Sequence, residues 1–230
     1  MPLTLDSRFC GSIYIIRCQG RIVAGEDASL LDSTLENRAR EFKQLVLNLS
    51  DIERLDSTGM GMLVRYSASL RRRGGDLHLA APAPFVERML SVTGLSSVLQ
   101  VYSTEEEAIV SFLEQSSPAT EARQSGPKVL VLDPSPDLCA FVKAVLTQHG
   151  FHVKPTCLLH DARIMLKVDR VDYILIGPGT PRPATEALLQ SLKVWAPDAT
   201  TLQLDAGFQH RDADQAAQTL LQLFQPSPAS

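Results

Sequence analysis

Apolar and polar positions alternate in two rhythms along this chain, and the change of rhythm marks its elements. Ser12 to Cys18 (SIYIIRC) is dense in Ile and Tyr and predicts a strand. Between Ala28 and Phe42, Leu30, Leu31, Leu35 and Ala39 fall at helical spacing. Gln44 to Leu49 (QLVLNL) predicts a short buried strand. Thr58 to Arg73 predicts a helix with Met62, Leu63, Tyr66 and Leu70 along one side; Gly74-Gly75 then supplies the left-handed stop. Leu77 to Ala81 predicts another strand. Phe85 to Val92 predicts a helix with Phe85, Met89 and Leu90 inward, and Val98 to Tyr102 a last strand. Thr104 to Leu113 predicts a helix opened by a capping box, with Thr104 as cap and Glu107 three positions on. Strands that alternate with helices imply a layered α/β fold.

The rhythm lapses between Gln115 and Pro127 (QSSPATEARQSGP), where Ser, Pro, Ala, Gln and Gly take over. This composition predicts a linker over 115–127, between a domain at 1–114 and another at 128–226. The second domain opens with KVLVLD, an apolar strand that ends in Asp133. Helices are expected over Asp137 to His149, His160 to Asp169, Thr185 to Trp195 and Ala213 to Phe224. Strands are expected at FHVKP, at Asp172 to Ile176 and at Thr200 to Leu204. This alternation predicts a small doubly wound sheet, a class whose ligands gather at the carboxyl ends of the strands.

Bulk properties narrow the function classes. The 230 residues carry a net charge of −4, which argues against a general nucleic-acid binder. The dense basic run Arg71-Arg72-Arg73 stands where a helix should end, and cations there complement the helix dipole. Cys10, Cys18, Cys139 and Cys157 are scattered, with no metal-binding spacing among them. Cys10 and Cys18 are expected in the core. No cofactor or metal ion is expected. The first residues lack a signal-peptide pattern and no apolar run is membrane-length, so no membrane association and a cytoplasmic location are expected.

Candidate chemistry concentrates at Asp56-Ser57-Thr58-Gly59, between the QLVLNL strand and the helix after it. One reading is structural. A helix start needs a cap, Ser, Thr and Asp supply one, and Gly59 and Gly61 ease the turn. The other reading makes the Ser57 hydroxyl a modification site. It would be exposed, and free N–H groups at the positive helix end could accommodate a phosphate. Such a phosphate brings about −1.5 to −2 charges beside Asp56. The two readings are compatible.

These residues also carry a resemblance. The strand LVLNLS, the sequence Leu55-Asp56-Ser57-Thr58-Gly59-Met60-Gly61, the helix ending RRRGG, DLHLAAP, and VERMLSVTGLSSVLQVYSTEEEAI together resemble the STAS domain of anti-sigma factor antagonists. GRIVAGEDASLL resembles the first loop and helix of bacterial members. The resemblance covers most of residues 1–114. It implies that Ser57 is the serine a partner kinase phosphorylates, with Thr58 as a second acceptor. Asp56 would organise the site and contact the partner, and Gly59 and Gly61 would belong to the same surface. Loop residues of Gly20 to Asp27, among them Gly25 and Glu26, would lie on that face. The implied function is partner switching. The unphosphorylated antagonist binds an anti-sigma factor that is a serine kinase, phosphorylation of Ser57 releases it, and a serine phosphatase resets the switch. The chain itself would not be an enzyme.

The second domain resembles a response-regulator receiver, a flavodoxin-like fold, through KVLVLDPSPDLCAFVKAVLTQHGFHVKPT and VDYILIGPGTPRP. A receiver needs an acid pair for Mg²⁺, an acceptor aspartate, a hydroxyl residue and a lysine. Asp133 supplies one acid, Pro134 replaces the other, Gly177 takes the acceptor position and Asp205 takes the hydroxyl position. Too few residues separate Asp205 from the last helix for the usual remainder. A degenerate, truncated receiver is therefore expected, with Asp133 and Asp137 as solvated acids. An edge strand near Thr200 to Leu204 is open to dimerisation or partner docking. Two rival functions stay open. One is a STAS scaffold or ligand sensor without switching. The other is a serine hydrolase using Ser57 with His78 or His160, although no G-x-S-x-G elbow surrounds Ser57.

Overall fold

In this computed structural model, residues 1–115, 126–180, 182–208 and 211–224 are described. The chain divides into two compact units after Gln115. Most of the linker read at 115–127 lies outside the described residues.

The first unit runs β1 (Thr4–Cys10), β2 (Ile13–Ile22), α1 (Glu26–Glu41), β3 (Gln44–Leu55), α2 (Ser57–Arg72), β4 (Asp76–Ala80), α3 (Pro84–Val92), β5 (Gln100–Tyr102) and α4 (Glu105–Gln115). Within it the strands lie in the order β5-β4-β3-β2-β1. β1 and β2 form an antiparallel hairpin through Gly11, whose φ of 64° suits a tight turn. The other neighbours are parallel. Alternation along the strands separates two faces. Leu45, Leu47 and Leu49 of β3 join Ile16 and Cys18 of β2 in a core with Leu31 and Leu35 of α1, Leu63 and Leu70 of α2, and Val86 and Leu90 of α3. Each such side chain contributes roughly 1.5–3 kcal/mol by leaving water. On the opposite face His78 of β4 stacks on Phe112 of α4, with ring centroids 3.5 Å apart.

Several sequence expectations need correction. β1 was not anticipated, because Thr4–Cys10 mixes polar and apolar residues and is only partly buried. β3 continues six residues beyond Leu49, held by parallel pairing with β2 as far as Ile22. Phe85 is 48% exposed and Val86 of α3 points inward in its stead, beside Leu90, which is buried as its spacing predicts. The box at α4 forms with one change of partner. Thr104 Oγ1 accepts the Glu107 amide at 3.1 Å, while the Glu107 carboxylate accepts the Ser103 amide.

The second unit contains β6 (Lys128–Leu132), α5 (Pro136–Gln148), β7 (His152–Thr156), α6 (Leu159–Val168), β8 (Tyr173–Ile176), α7 (Arg182–Trp195), β9 (Thr200–Gln203) and α8 (Ala213–Leu223). Its strands lie in the order β7-β6-β8-β9, all parallel. The central strands β6 and β8 are almost wholly buried, which explains their unbroken apolar sequences. No helix of the described residues is long and apolar enough to cross a membrane.

Candidate functional site

The site is built at the carboxyl ends of β2 and β3. Leu55 ends β3 in the core, and Asp56 leaves it in extended conformation to cap α2. One Asp56 carboxylate oxygen accepts the Gly59 amide at 2.9 Å. The other accepts the amide of Ala24, in the loop between β2 and α1, at 2.8 Å. The Asp56 amide donates to the Ile22 carbonyl at 3.2 Å. A single residue thus ties the start of α2 to the end of β2. The amides of Ala24, then Gly59, and beyond them Thr58, hold the Asp56 carboxyl below its ordinary range, and Arg54 adds to this.

Ser57 is therefore not the cap. Asp56 is, and Ser57 is the first residue of α2, exposed together with Thr58. The helix start is also less open to an anion than its sequence suggested. The Gly59 amide is already taken by Asp56, and a negative charge already stands there.

The two glycines of the motif separate in role. A Cβ on Gly59 would stand 2.7 Å from both Ile22 Cγ2 and Leu55 Cδ1, so only glycine lets α2 approach β2 this closely. A Cβ on Gly61 would meet nothing within 4 Å. Gly61 instead borders an open groove of about 490 Å³ between α1 and α2, lined by Ala24, Gly25, Ser29, Thr58, Gly61 and Arg65 among others. Asp32 closes the groove, ion-paired to Arg65 and accepting the Tyr66 hydroxyl at 2.6 Å. The role of Ala24, Ser29, Asp32 and Arg65 was missed in the sequence. The one signal for it was the helical spacing that set Ser29 and Asp32 on the polar side of α1.

The stretch from Gly20 to Asp27 is mostly not a loop, since β2 runs to Ile22 and α1 starts at Glu26. Gly25, with φ 110°, precedes α1, and both it and Glu26 are exposed beside Ala24. Gly20 and Asp27 are not on the exposed face. Gly20 is buried with φ 105°, and a Cβ there would lie 2.3 Å from the Pro2 carbonyl oxygen. Asp27 is 9% exposed. It accepts the Leu3 amide at 2.9 Å and Arg21 Nε at 2.8 Å, and these partners, the amide first, hold its carboxyl below the ordinary range. Both residues fasten the first strands. His78, one base imagined for Ser57, is sealed in the sheet at 0% exposure. Its Nδ1 lies 3.1 Å from the Ala108 carbonyl.

A family model for the STAS domain matches residues 5–108. That match falls within the N-terminal unit, which is similar to a STAS domain over this span. A candidate anti-sigma factor antagonist of Thermotoga neapolitana is 37% identical over 68 residues, which are 30% of this chain and 60% of that protein. Its Thermotoga maritima counterpart matches to the same extent, so the chain spans 60% of the length of these curated relatives. The anti-sigma F factor antagonist of Paenibacillus polymyxa is 23% identical over 112 residues, 47% of this chain and 94% of that protein. Among solved structures, the Thermotoga maritima antagonist is 27% identical, covers 46% of this chain and 91% of its own, and gives a TM-score of 0.41.

In the second unit, Asp133 follows β6 and is not a solvated acid. It is fully buried. One carboxylate oxygen accepts the Ser135 amide at 2.7 Å and the other the Gly179 amide at 2.9 Å. Asp137 is exposed in the first turn of α5. A Cβ on Gly177 would lie 2.1 Å from Asp133 Oδ2, so the Asp133 carboxylate fills the space in front of Gly177. Asp205 accepts the Gly207 amide at 2.9 Å and pairs with Arg211 at 2.7 Å.

Proposed function

We propose that the STAS unit is an anti-sigma factor antagonist that works by partner switching. Unphosphorylated, it binds an anti-sigma serine kinase through the face formed by Gly25, Glu26, Ser57, Thr58 and Gly61. Phosphorylation of Ser57 ends that binding, and a serine phosphatase restores it. The observation that carries this reading is the exposure of Ser57 directly beside an Asp56 carboxylate fixed on two sides by backbone amides. Asp56 is held as an anion and cannot swing away without losing the Ala24 and Gly59 contacts. A phosphate on Ser57 therefore adds to an existing negative charge. At about 5 Å, each pair of unit charges repels by roughly 1 kcal/mol in full solvent and roughly 3 kcal/mol when partly screened. That is enough to expel an acidic partner group without unfolding the domain. The relatives named as anti-sigma factor antagonists support the same reading. The chain acts here as binder and substrate, in the cytoplasm, and the exposed Thr58 is a second acceptor.

Incubation with an anti-sigma serine kinase and ATP, followed by mass spectrometry, tests the reading. Phosphate is expected on Ser57, with none on the Ser57→Ala variant. Ser57→Asp is expected to weaken kinase binding at least tenfold with its circular dichroism unchanged. Unaltered binding would point instead to a scaffold without switching.

For the second unit the reading is a receiver-like module unable to take phosphate. Its parallel order β7-β6-β8-β9 and the carboxylate standing before Gly177 support this. β9 ends that order, and its edge is the place for self-association or docking.

A further inference from the structure

Cys139 and Cys157 are far apart in sequence but not in the fold. Cys139 lies in the first turn of α5 and is fully buried. Its sulfur contacts the Asp133 carbonyl at 3.5 Å and the Thr156 carbonyl at 3.9 Å. Thr156 ends β7, and Cys157 is the next residue, half-buried and near enough for its thiol to help raise that of Cys139. The Cys139 sulfur thus lies against the peptide that Thr156 shares with Cys157, at the carboxyl ends of β6 and β7.

We propose that Cys139 and Cys157 form an oxidisable dithiol that a peroxide converts to a disulfide, fastening the start of α5 to the end of β7. Cys157, which reaches solvent, reacts first. Its thiolate attacks one peroxide oxygen, the O–O bond breaks, and sulfenic acid and water result. The Cys139 sulfur then attacks the sulfenic sulfur, and hydroxide leaves and takes up the Cys139 proton as a second water. Two thiols and one hydrogen peroxide thus give one disulfide and two waters. Each sulfur loses one electron and the peroxide gains two.

The order of steps follows from the surroundings. Burial, the largest influence, pushes the Cys139 thiol up to about 12, so it is not the group that meets peroxide. It already lies, however, beside the residue whose sulfur it must attack, which offsets its low thiolate fraction. Closing the bond brings the sulfurs to about 2.05 Å, a displacement that side-chain rotation supplies. Cys10 and Cys18, both fully buried in strands of the first unit, serve as internal controls.

The test is a peptide map of the folded full chain after exposure to hydrogen peroxide, alkylation of remaining thiols and digestion without reductant. A linked peptide holding Cys139 and Cys157 is expected, absent after dithiothreitol, with Cys10 and Cys18 still alkylated. In Cys139→Ser, Cys157 should persist as a sulfenic acid that dimedone traps. In Cys157→Ser, Cys139 should stay reduced. Finding no linked peptide in the wild-type chain overturns the proposal, whether Cys157 is untouched or driven to sulfinic acid. This decisive arm needs no variant, so a folding defect in either substitution leaves the answer intact.

Discussion

The turn after β3 and the turn after β6 are made the same way and come to opposite ends. Each puts an aspartate where a strand gives way to a helix. Each carboxylate accepts one amide from its own turn and one from a neighbouring loop: Gly59 and Ala24 for Asp56, Ser135 and Gly179 for Asp133. The difference lies in the residue that comes next and in access to solvent. Asp56 is succeeded by an exposed Ser57. Asp133 is sealed from solvent and succeeded by Pro134, and its carboxylate fills the space before Gly177. A clamped acid is thus equally suited to presenting an exposed hydroxyl and to closing a crevice. Neighbouring residues decide which.

The most disruptive way to test the contrast is Gly177→Asp. It forces a second carboxylate against a buried one, and the second unit should lose roughly 3–5 kcal/mol, read by urea denaturation. If the variant folds and takes phosphate from acetyl phosphate, the crevice is not closed as described. Asp133→Ala strands two part-buried amides and empties a fully buried site, and should cost roughly 2–3 kcal/mol by the same measurement. Asp56→Ala should cost about 1 kcal/mol, the usual value of a helix cap, because the amides it abandons lie nearer to water. Its effect on kinase binding should nonetheless exceed that of Asp133→Ala, which isothermal titration would show.

A weaker handle is pH. Burial lowers the His78 pKa below its ordinary 6.5, so the folded state disfavours the proton that the unfolded chain accepts. Stability is then full above about pH 6.5 and declines as pH falls toward the lower folded value. Asp27 and Asp56 add to the loss only below their ordinary 3.8, as pH passes through their depressed folded values. Urea midpoints should therefore fall in two stages on acidification, and His78→Phe should flatten the first alone. The smallest effect is expected for Gly61→Ala. Its methyl meets no atom within 4 Å, and replacing a helix-interior glycine should stabilise by at most about 1 kcal/mol. Kinase binding should weaken because the methyl projects into the groove.

Periodicity revealed the apolar frame well. Leu31 and Leu35, Leu63 and Leu70, and the cores of β6 and β8 sit where their spacing put them, because burial imposes the spacing. Polar residues that partner the backbone were far less legible. Asp27 looks like a loop acid and is nearly buried under Leu3. Asp133 looks like a surface acid and is sealed by amides from Ser135 and Gly179. In each case a distant amide sets the environment, and local sequence carries no trace of it. Strand β1 escaped for a similar reason, since its pairing with β2 does not require an apolar face. The exposed place of Ser57 at a helix start is legible in its motif. That Asp56, and not Ser57, caps the helix became visible only with the Gly59 contact.

The anchoring of the first residues bears on how these experiments are assembled. The Leu3 amide rests on Asp27, and Gly20 leaves room for the Pro2 carbonyl close by. Asp27 belongs to the opening turn of α1, whose exposed side borders the groove. An affinity handle joined just ahead of Pro2 would pull on that turn and mimic a binding defect, so surface immobilisation should engage the chain elsewhere.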